Sequence, residues 1–411
     1  MPNAAAPTLP SDPRARFARQ AAVHNALVWL HRYSGLAILL FLISAGVTGS
    51  VLVFRTQLDA VLNPDLFDAD TAHVTAAPAA LADAMARAHP GWRITQAPLT
   101  IEPGRSLALR VAPARRGKPL GYDEVFVDPL DGHVLGTRQV TPGWGRRGFV
   151  EAIYQFHFNL LAGTFGRWFM GAVAILWVLS NLIGLYLTFP RSRPFWKNWG
   201  QMWLVHRNTR LARFCLELHR AGGLWLFIGF LVLSITSVEM NFYDELFVPF
   251  TNAVWAHEPT PFDSAPVARD APPVLTFSQA LRLAEPLVAR DHPAWVAAFA
   301  TYGPQSGLYS VSFIRPGTDT YSALGPVAYY LDGCSGDFVY RDDPYNDGTR
   351  GAFMRSLYPL HAGRILGWPT RYLVLLLGIA VTVLSITGLY VWWRRRFGIQ
   401  APPIFQRASR S

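Results

Sequence analysis

Leu30-His31-Arg32-Tyr33-Ser34-Gly35-Leu36 opens one apolar run, and Leu218-His219-Arg220-Ala221-Gly222-Gly223-Leu224 opens another 188 positions later. A second correspondence, at an offset of 204, joins Tyr154, His157, Gly163, Arg167, Gly184, Leu185 and Tyr186 to Tyr358, His361, Gly367, Arg371, Gly388, Leu389 and Tyr390. This pattern predicts two repeated halves, with one histidine at each of four helix entrances. An ionisable side chain at such depth is costly and points to function. Histidine there points to a metal or haem ligand, because neutral imidazole is a common metal ligand.

Four stretches carry no charged residue: Tyr33 to Phe54, Trp168 to Pro190, Ala221 to Val238 and Tyr372 to Trp393. Each is close to the roughly 20 residues that a helix needs to cross hydrocarbon. Trp225, Tyr186, Tyr372, Trp392 and Trp393 lie toward the ends of these stretches, where aromatic belts form. The fold class expected is therefore a membrane α-helical protein with four transmembrane helices.

The net charge of +10 is unevenly spread. Segments 1–32, 190–220 and 394–411 hold 16 basic residues against Asp12 and Glu217, while the rest holds 21 basic and 25 acidic residues. The positive-inside rule then places both termini and the 190–220 loop in the cytoplasm, with 55–166 and 239–371 outside. Topology explains the high pI, so no nucleic-acid partner is expected. Cys215 and Cys334 fall on opposite sides and are not expected to pair. The absence of Cys-x-x-Cys-His excludes covalent c-type haem, and no cysteine cluster suggests iron–sulfur. The basic N-terminus precedes an apolar run too long for a signal-peptide core, so it reads as a retained first span.

The correspondence continues between the spans. Ala86-Arg87-Ala88-His89-Pro90-Gly91-Trp92 parallels Ala289-Arg290-Asp291-His292-Pro293-Ala294-Trp295, and Val127-Asp128-Pro129-Leu130-Asp131-Gly132 parallels Leu331-Asp332-Gly333-Cys334-Ser335-Gly336. A longer lead-in, His257 to Pro273, accounts for the change in offset. Such a duplication usually means a unit that needs its twin to complete a core. Each half is expected to carry an external α+β lobe, with a helix over Ala79–Ala88 or Phe277–Ala289. The His-Pro that follows ends each helix. Leu107–Val111, Tyr122–Val127, His133–Leu135, Tyr309–Phe313 and Val327–Leu331 read as strands, and Asp128 to Gly132 supplies hairpin turn chemistry. The organisation predicted is a tail 1–21, span 22–54, lobe 55–148, interfacial segment and span 149–190, basic loop 191–217, span 218–242, lobe 243–355, interfacial segment and span 356–394, and tail 395–411.

Leu-His-Arg-x-x-Gly-Leu at a helix entrance, two lobes with Asp-x-x-x-Gly hairpins, and Gly-Leu-Tyr-[Leu/Val] before a basic exit resemble the PepSY-associated transmembrane family of iron-regulated membrane proteins. The resemblance spans about residues 25–397. The departure is Asp332-Gly333-Cys334-Ser335-Gly336, where the first lobe has Asp-Pro. Family members include bacterial reductases of ferric siderophores. The resemblance implies b-type haem held by membrane histidines, PepSY-like lobes and electron delivery to periplasmic iron chelates.

Two imidazoles that share one haem must come from different helices and the same depth. Topology then pairs His31 with His219 near the inner face and His157 with His361 near the outer face, giving two non-covalent haem b groups. Gly35 and Gly223 lie four residues after His31 and His219, one turn deeper on the same face, and leave room for a macrocycle. Arg32 and Arg220 are expected to meet the inner propionates, and Arg167 and Arg371 the outer ones. Tyr154 and Tyr358 are expected to support His157 and His361. His24 and His206 are weighed as substitute ligands or interfacial residues, with the second preferred. His89 and His292 read as soluble helix-end residues. Glu151 and Glu239 read as interfacial carboxylates paired with arginine, a proton relay being the alternative. Gly46 and Gly49 read as helix-packing positions, and Phe195 to Trp203 as an interfacial amphipathic segment.

The function expected is an inner-membrane dihaem oxidoreductase, a ferric-siderophore reductase serving iron uptake. Its donor is cytoplasmic or a quinol, its acceptor a periplasmic ferric siderophore, and its solvent the lipid bilayer. The alternatives are a haem-free interaction or sensor protein, a relay to another periplasmic acceptor, and a transporter. Against the last, no broken helix with paired charges near mid-membrane is read. No flavin or nicotinamide fingerprint is read either, so oxidising nicotinamide directly would need another subunit.

Overall fold

A computed structural model describes residues 13–114, 119–255, 260–261 and 273–398. The first twelve residues, most of the lead-in at 257–273 and the tail beyond 398 lie outside the described residues. In chain order the helices and strands are α1 (Pro13–Leu52), α2 (Arg55–Leu62), α3 (Pro64–Phe67), α4 (Pro78–Ala88), β1 (Trp92–Pro98), β2 (Leu107–Pro113), β3 (Glu124–Val127), β4 (Val134–Arg138), α5 (Arg146–Asn159), α6 (Gly163–Thr188), α7 (Phe195–Gly200) and α8 (Leu211–Trp225). They continue with α9 (Phe227–Asn241), α10 (Val248–Val254), α11 (Phe277–Asp291), β5 (Val296–Gly303), β6 (Leu308–Ile314), β7 (Val327–Asp332), β8 (Phe338–Asp342), α12 (Gly348–His361) and α13 (Trp368–Phe397).

Two compact units emerge. One comprises 13–47, 169–238 and 377–398; the other comprises 48–168 and 239–376. The first is helical. Among the described residues, α1, α6 and α13 are long and apolar enough to cross a membrane, each holding an 18-residue stretch with a mean hydropathy of 2.2, 1.9 and 2.3, respectively. Small residues bring these helices close. A Cβ on Gly46 would lie 2.7 Å from the Gly378 carbonyl oxygen and 2.6 Å from Thr382 Oγ1, so this glycine sets a helix contact as expected.

The third span differs from the expectation of one straight helix. It is divided into α8 and α9, bent by 71°. Gly222 and Gly223 precede the break, and paired glycines are a common cause of kinks. The third span is therefore broken, though without the paired charges that mark a transport site. The residues at the bend, Gly222 to Phe227, carry no charge.

The second unit is built on one antiparallel sheet, ordered β4-β3-β2-β1-β5-β6-β7-β8. The strands expected in two separate lobes thus form a continuous layer. Their junction is the β1–β5 pairing, with Ala97 opposite Ala300. It satisfies two backbone edges that would otherwise be unpaired. Alternation along the strands separates the faces. Tyr309, Val311, Phe313, Val327, Tyr329 and Leu331 join Ala82 and Met85 of α4 and Ala280, Ala284 and Val288 of α11 in the core. The two helices are tied together by Asp83, whose carboxylate accepts from the backbone N–H groups of Phe277 at 2.7 Å and Ser278 at 3.1 Å. An anion at the start of α11 satisfies donors that lack partners within the helix.

Both hairpin turns close in the same way despite their different sequences. Gly132 N–H donates to the Asp128 carbonyl at 3.0 Å and Gly336 N–H to the Asp332 carbonyl at 2.9 Å. Gly132 and Gly336 have φ of +80° and +81°, a region that favours glycine.

Candidate functional site

His31 on α1 and His219 on α8 lie with ring centroids 6.3 Å apart and planes at 64°. His157 and His361, near the C-terminal ends of α5 and α12, lie 6.2 Å apart at 62°. These are the two pairings that topology selects from the sequence. The spacing has a chemical meaning. With a metal–nitrogen bond of about 2.0 Å and about 1.1 Å from nitrogen to ring centre, two imidazoles on opposite sides of one ion would place their centroids about 6.2 Å apart. Rings that both contain such an axis are free to be rotated about it, so the interplanar angles are compatible with that arrangement. Among the described residues no group of three or more His, Cys, Asp or Glu side chains gathers as for a bare metal ion. Two imidazoles alone suit an iron whose other positions come from a macrocycle.

The helical unit orients its pair. His219 Nδ1 is 2.8 Å from the Leu384 carbonyl oxygen. His31 Nδ1 is 3.2 Å from the Ser180 carbonyl oxygen and 3.0 Å from Ser180 Oγ. A carbonyl only accepts, so Nδ1 carries the proton in both rings and Nε2 is the nitrogen suited to ligation. Backbone glycine makes room for each ring. A Cβ on Gly184 would lie 3.2 Å from His31 Cε1, and one on Gly388 would lie 3.0 Å from His219 Cε1. Both glycines recur at the offset of 204, so the signal was in the sequence, although no role was attached to it.

A cavity of about 460 Å³ opens between these helices, within the range of ligand and cofactor sites. His24, His31, Arg32, Gly35, His219, Arg220 and Gly223 all line it. A Cβ on Gly35 or Gly223 would meet nothing within 4 Å, so both glycines border open space beside the imidazoles. The residues present therefore fit a flat macrocycle. Arg395, which sequence reasoning did not single out, also lines the cavity. Arg220 is partly committed, since its Nε donates to the Met202 carbonyl at 3.0 Å and its Nη2 to that of Gln201 at 3.2 Å. His206 stands apart, its Nδ1 3.0 Å from Glu217 Oε2.

In the sheet-bearing unit, His157 Nδ1 lies 3.0 Å from Thr48 Oγ1. A Cβ on Gly49 would lie 3.0 Å from His157 Cε1. Gly49 thus makes room for an imidazole instead of packing helices, and Thr48 is a partner that the sequence reading missed. The expected supporting residues are disposed differently. Arg167 pairs with Glu245 at 2.5 Å and donates to the Asn241 carbonyl. Arg371 pairs with Asp319 and lies over the Trp368 ring. Both guanidiniums expected to meet outer propionates are instead neutralised by carboxylates distant in sequence. Tyr154 lies beneath the Arg55 guanidinium, 4.2 Å away, and Arg55 in turn pairs with Glu151 at 2.8 Å. Tyr358 lines a different cavity, beside Tyr321.

Glu151 thus has the arginine partner expected of it. Glu239 does not: among the described residues it forms no ion pair, and its Oε2 is buried without a hydrogen-bond partner. His89 stacks on Trp92 at 3.8 Å, and His292 Nε2–H donates to Asp343 Oδ2 at 2.8 Å. Both end helices, as read. Phe195, Trp196, Trp199 and Trp203 form an aromatic cluster around α7.

One spelling escaped the sequence reading. Gly143-Trp144-Gly145-Arg146-Arg147-Gly148 matches G-x-G-x-x-G. It follows β4 of an antiparallel sheet and opens α5, where Asp65 pairs with Arg146 and Arg147. The parallel βαβ setting that gives the motif its dinucleotide meaning is missing here.

No curated protein compared with this chain proved similar to it. The family model described as the PepSY-associated TM region matches residues 28–395. The chain is therefore a membrane protein that belongs to the PepSY-associated TM region family.

Proposed function

We propose that this chain is an inner-membrane dihaem b-type oxidoreductase that passes electrons outward to a ferric siderophore and releases ferrous iron. The observation that carries the reading is the pair of histidine couples, with ring centroids 6.3 and 6.2 Å apart, a separation that would let each couple hold one iron between them. The uneven distribution of basic residues supports an inward placement of His31 and His219 and an outward placement of His157 and His361.

When bound, haem supplies one-electron redox chemistry. The protein's part is ligation and tuning. His31 and His219 would hold one group, and the Ser180 and Leu384 carbonyls fix their tautomers and raise their basicity as ligands. Apolar side chains such as Leu39, Leu42, Phe230 and Val381 wall the cavity and limit the water around the iron. Arg32 and Arg395 present guanidiniums that suit propionates. His157 and His361 would hold the second group. Transfer of one electron to the chelate turns ferric iron to ferrous, which hard oxygen donors bind more weakly. The electron comes from a cytoplasmic or quinol donor.

The test compares the two histidine classes. In His31→Ala or His219→Ala, a soluble reductant added outside should still reduce the outer haem, and ferric siderophore should reoxidise it in a single turnover. In His157→Ala or His361→Ala, reduction from the cytoplasmic side should persist while reoxidation by the chelate becomes slow. If reduced wild-type protein is reoxidised by another acceptor but by no ferric chelate, the relay stands and the iron-reductase assignment fails.

A further inference from the structure

The sheet-bearing unit contains a second cavity, of about 670 Å³, that the histidine pairs do not use. Its floor is the sheet face opposite the core. Thr301, Ser310, Ser312 and Tyr330 line it, in alternation with the core residues Ala300, Val311 and Tyr329. This alternation gives one side of β5, β6 and β7 to apolar packing and the other to hydroxyl groups. Tyr358 and Pro359 of α12 complete part of the wall, within one turn of His361.

The charges in the cavity do not balance. Glu239, Asp342 and Arg355 line it. Arg355 Nη2 lies 3.7 Å from Asp342 Oδ2 and donates to the Pro326 carbonyl at 3.1 Å. The guanidinium is therefore shared with Asp342, with its Nε buried and unbonded, while the Glu239 carboxylate forms no ion pair among the described residues and its Oε2 is likewise buried and unbonded. A half-buried carboxylate whose inner oxygen lacks a partner is costly. Tyr243, Tyr321, Tyr330 and Tyr358 stand around the same space, and tyrosine rings favour cations.

We propose that this cavity binds a small ligand carrying a protonated amine, with the Glu239 carboxylate as its counter-ion. In the setting of the function proposed above, the ligand is the ferric chelate itself. The substrate class then narrows to chelates of neutral iron core with a free ammonium group, over anionic chelates. That narrowing rests on the reductase reading, whereas the preference for a cation rests on the cavity alone.

The experiment is calorimetric titration of the full detergent-solubilised chain. One probe is a ferric linear trihydroxamate with a free terminal amine, and the other is the same complex with that amine acetylated. A charge-assisted contact to a half-buried carboxylate predicts that acetylation weakens binding by about tenfold or more. Glu239→Gln should weaken the amine-bearing chelate to the level of the acetylated one and leave the acetylated one unchanged. Ser310→Leu, which fills the hydroxyl face, should abolish both. Equal binding of the two probes to wild type, or binding of neither, overturns the proposal without recourse to any variant. So does a preference that survives Glu239→Gln, or binding that survives Ser310→Leu. The two readings fail separately. Amine-selective binding with no reoxidation of the reduced protein sinks the iron-reductase assignment alone. Reoxidation by both probes with equal affinity sinks the cation site alone.

Discussion

The Nδ1–H of His219 donates to the carbonyl oxygen of Leu384 at 2.8 Å. This bond links α8 to α13 and fixes the tautomer of the ring, so that Nε2 is presented for ligation. Four residues beyond Leu384, Gly388 gives the same ring its space. A single turn of α13 thus both holds and accommodates the imidazole.

That arrangement makes Gly388 a sensitive position. A Cβ there would lie 3.0 Å from His219 Cε1 and 3.2 Å from Nδ1. Gly388→Val should displace the ring and remove one haem of two, leaving the other spectroscopically unchanged. Gly35→Leu should do the same for a different reason, by filling open space that a macrocycle needs. Gly91→Ala, at an open position, should change neither haem content nor stability beyond about 0.5 kcal/mol. Absorbance spectra and thermal unfolding of the three variants check this. Full haem content in Gly388→Val would refute the role given to the glycine.

His292 and Asp343 provide a prediction for acid stability. Burial works to raise the Asp343 carboxyl, but hydrogen bonds from His292 and Asn346 outweigh it and hold the group below its ordinary 3.8. A carboxyl depressed in the folded state stabilises fully above its unfolded value, and that contribution is lost as pH falls through the folded value. Asp343→Asn should therefore cost roughly 1–3 kcal/mol at neutral pH and flatten the loss of stability below about pH 4. Thermal unfolding in detergent from pH 3 to pH 7 measures both. An unchanged profile would show that the pair contributes nothing.

Topology is directly measurable. Basic residues concentrated in 1–32, 190–220 and 394–411 predict that a reporter active only outside the cytoplasm is silent when fused after Ser411. The same reporter inserted near Gly117 should be active. The opposite pattern would reverse the proposed direction of electron flow.

What the sequence revealed depended on the range of the interactions. The pairing of His31 with His219 and of His157 with His361 was legible because depth in a membrane is a one-dimensional property that charge-free runs expose. Helices α4 and α11 were legible from local periodicity. The bend between α8 and α9 had a visible cue in Gly222-Gly223, but a pair of glycines in an apolar run also reads as a packing site. The β1–β5 pairing was not legible, because Ala97 and Ala300 meet across more than two hundred residues. For the same reason the ion-pair partners of Arg167 and Arg371 were not legible: Glu245 and Asp319 carry no local mark. Glu239, expected to pair with arginine, forms no ion pair among the described residues, because the guanidinium in the same cavity, Arg355, faces Asp342.

His31 with His219 and His157 with His361 are proposed to hold two haems, and pyridine haemochrome analysis of the purified chain tests this most directly. Expressed with ample haem, the protein should contain close to two non-covalent b haems per chain, falling to one in His219→Ala or His361→Ala. A folded wild-type protein with no Soret band would contradict the account.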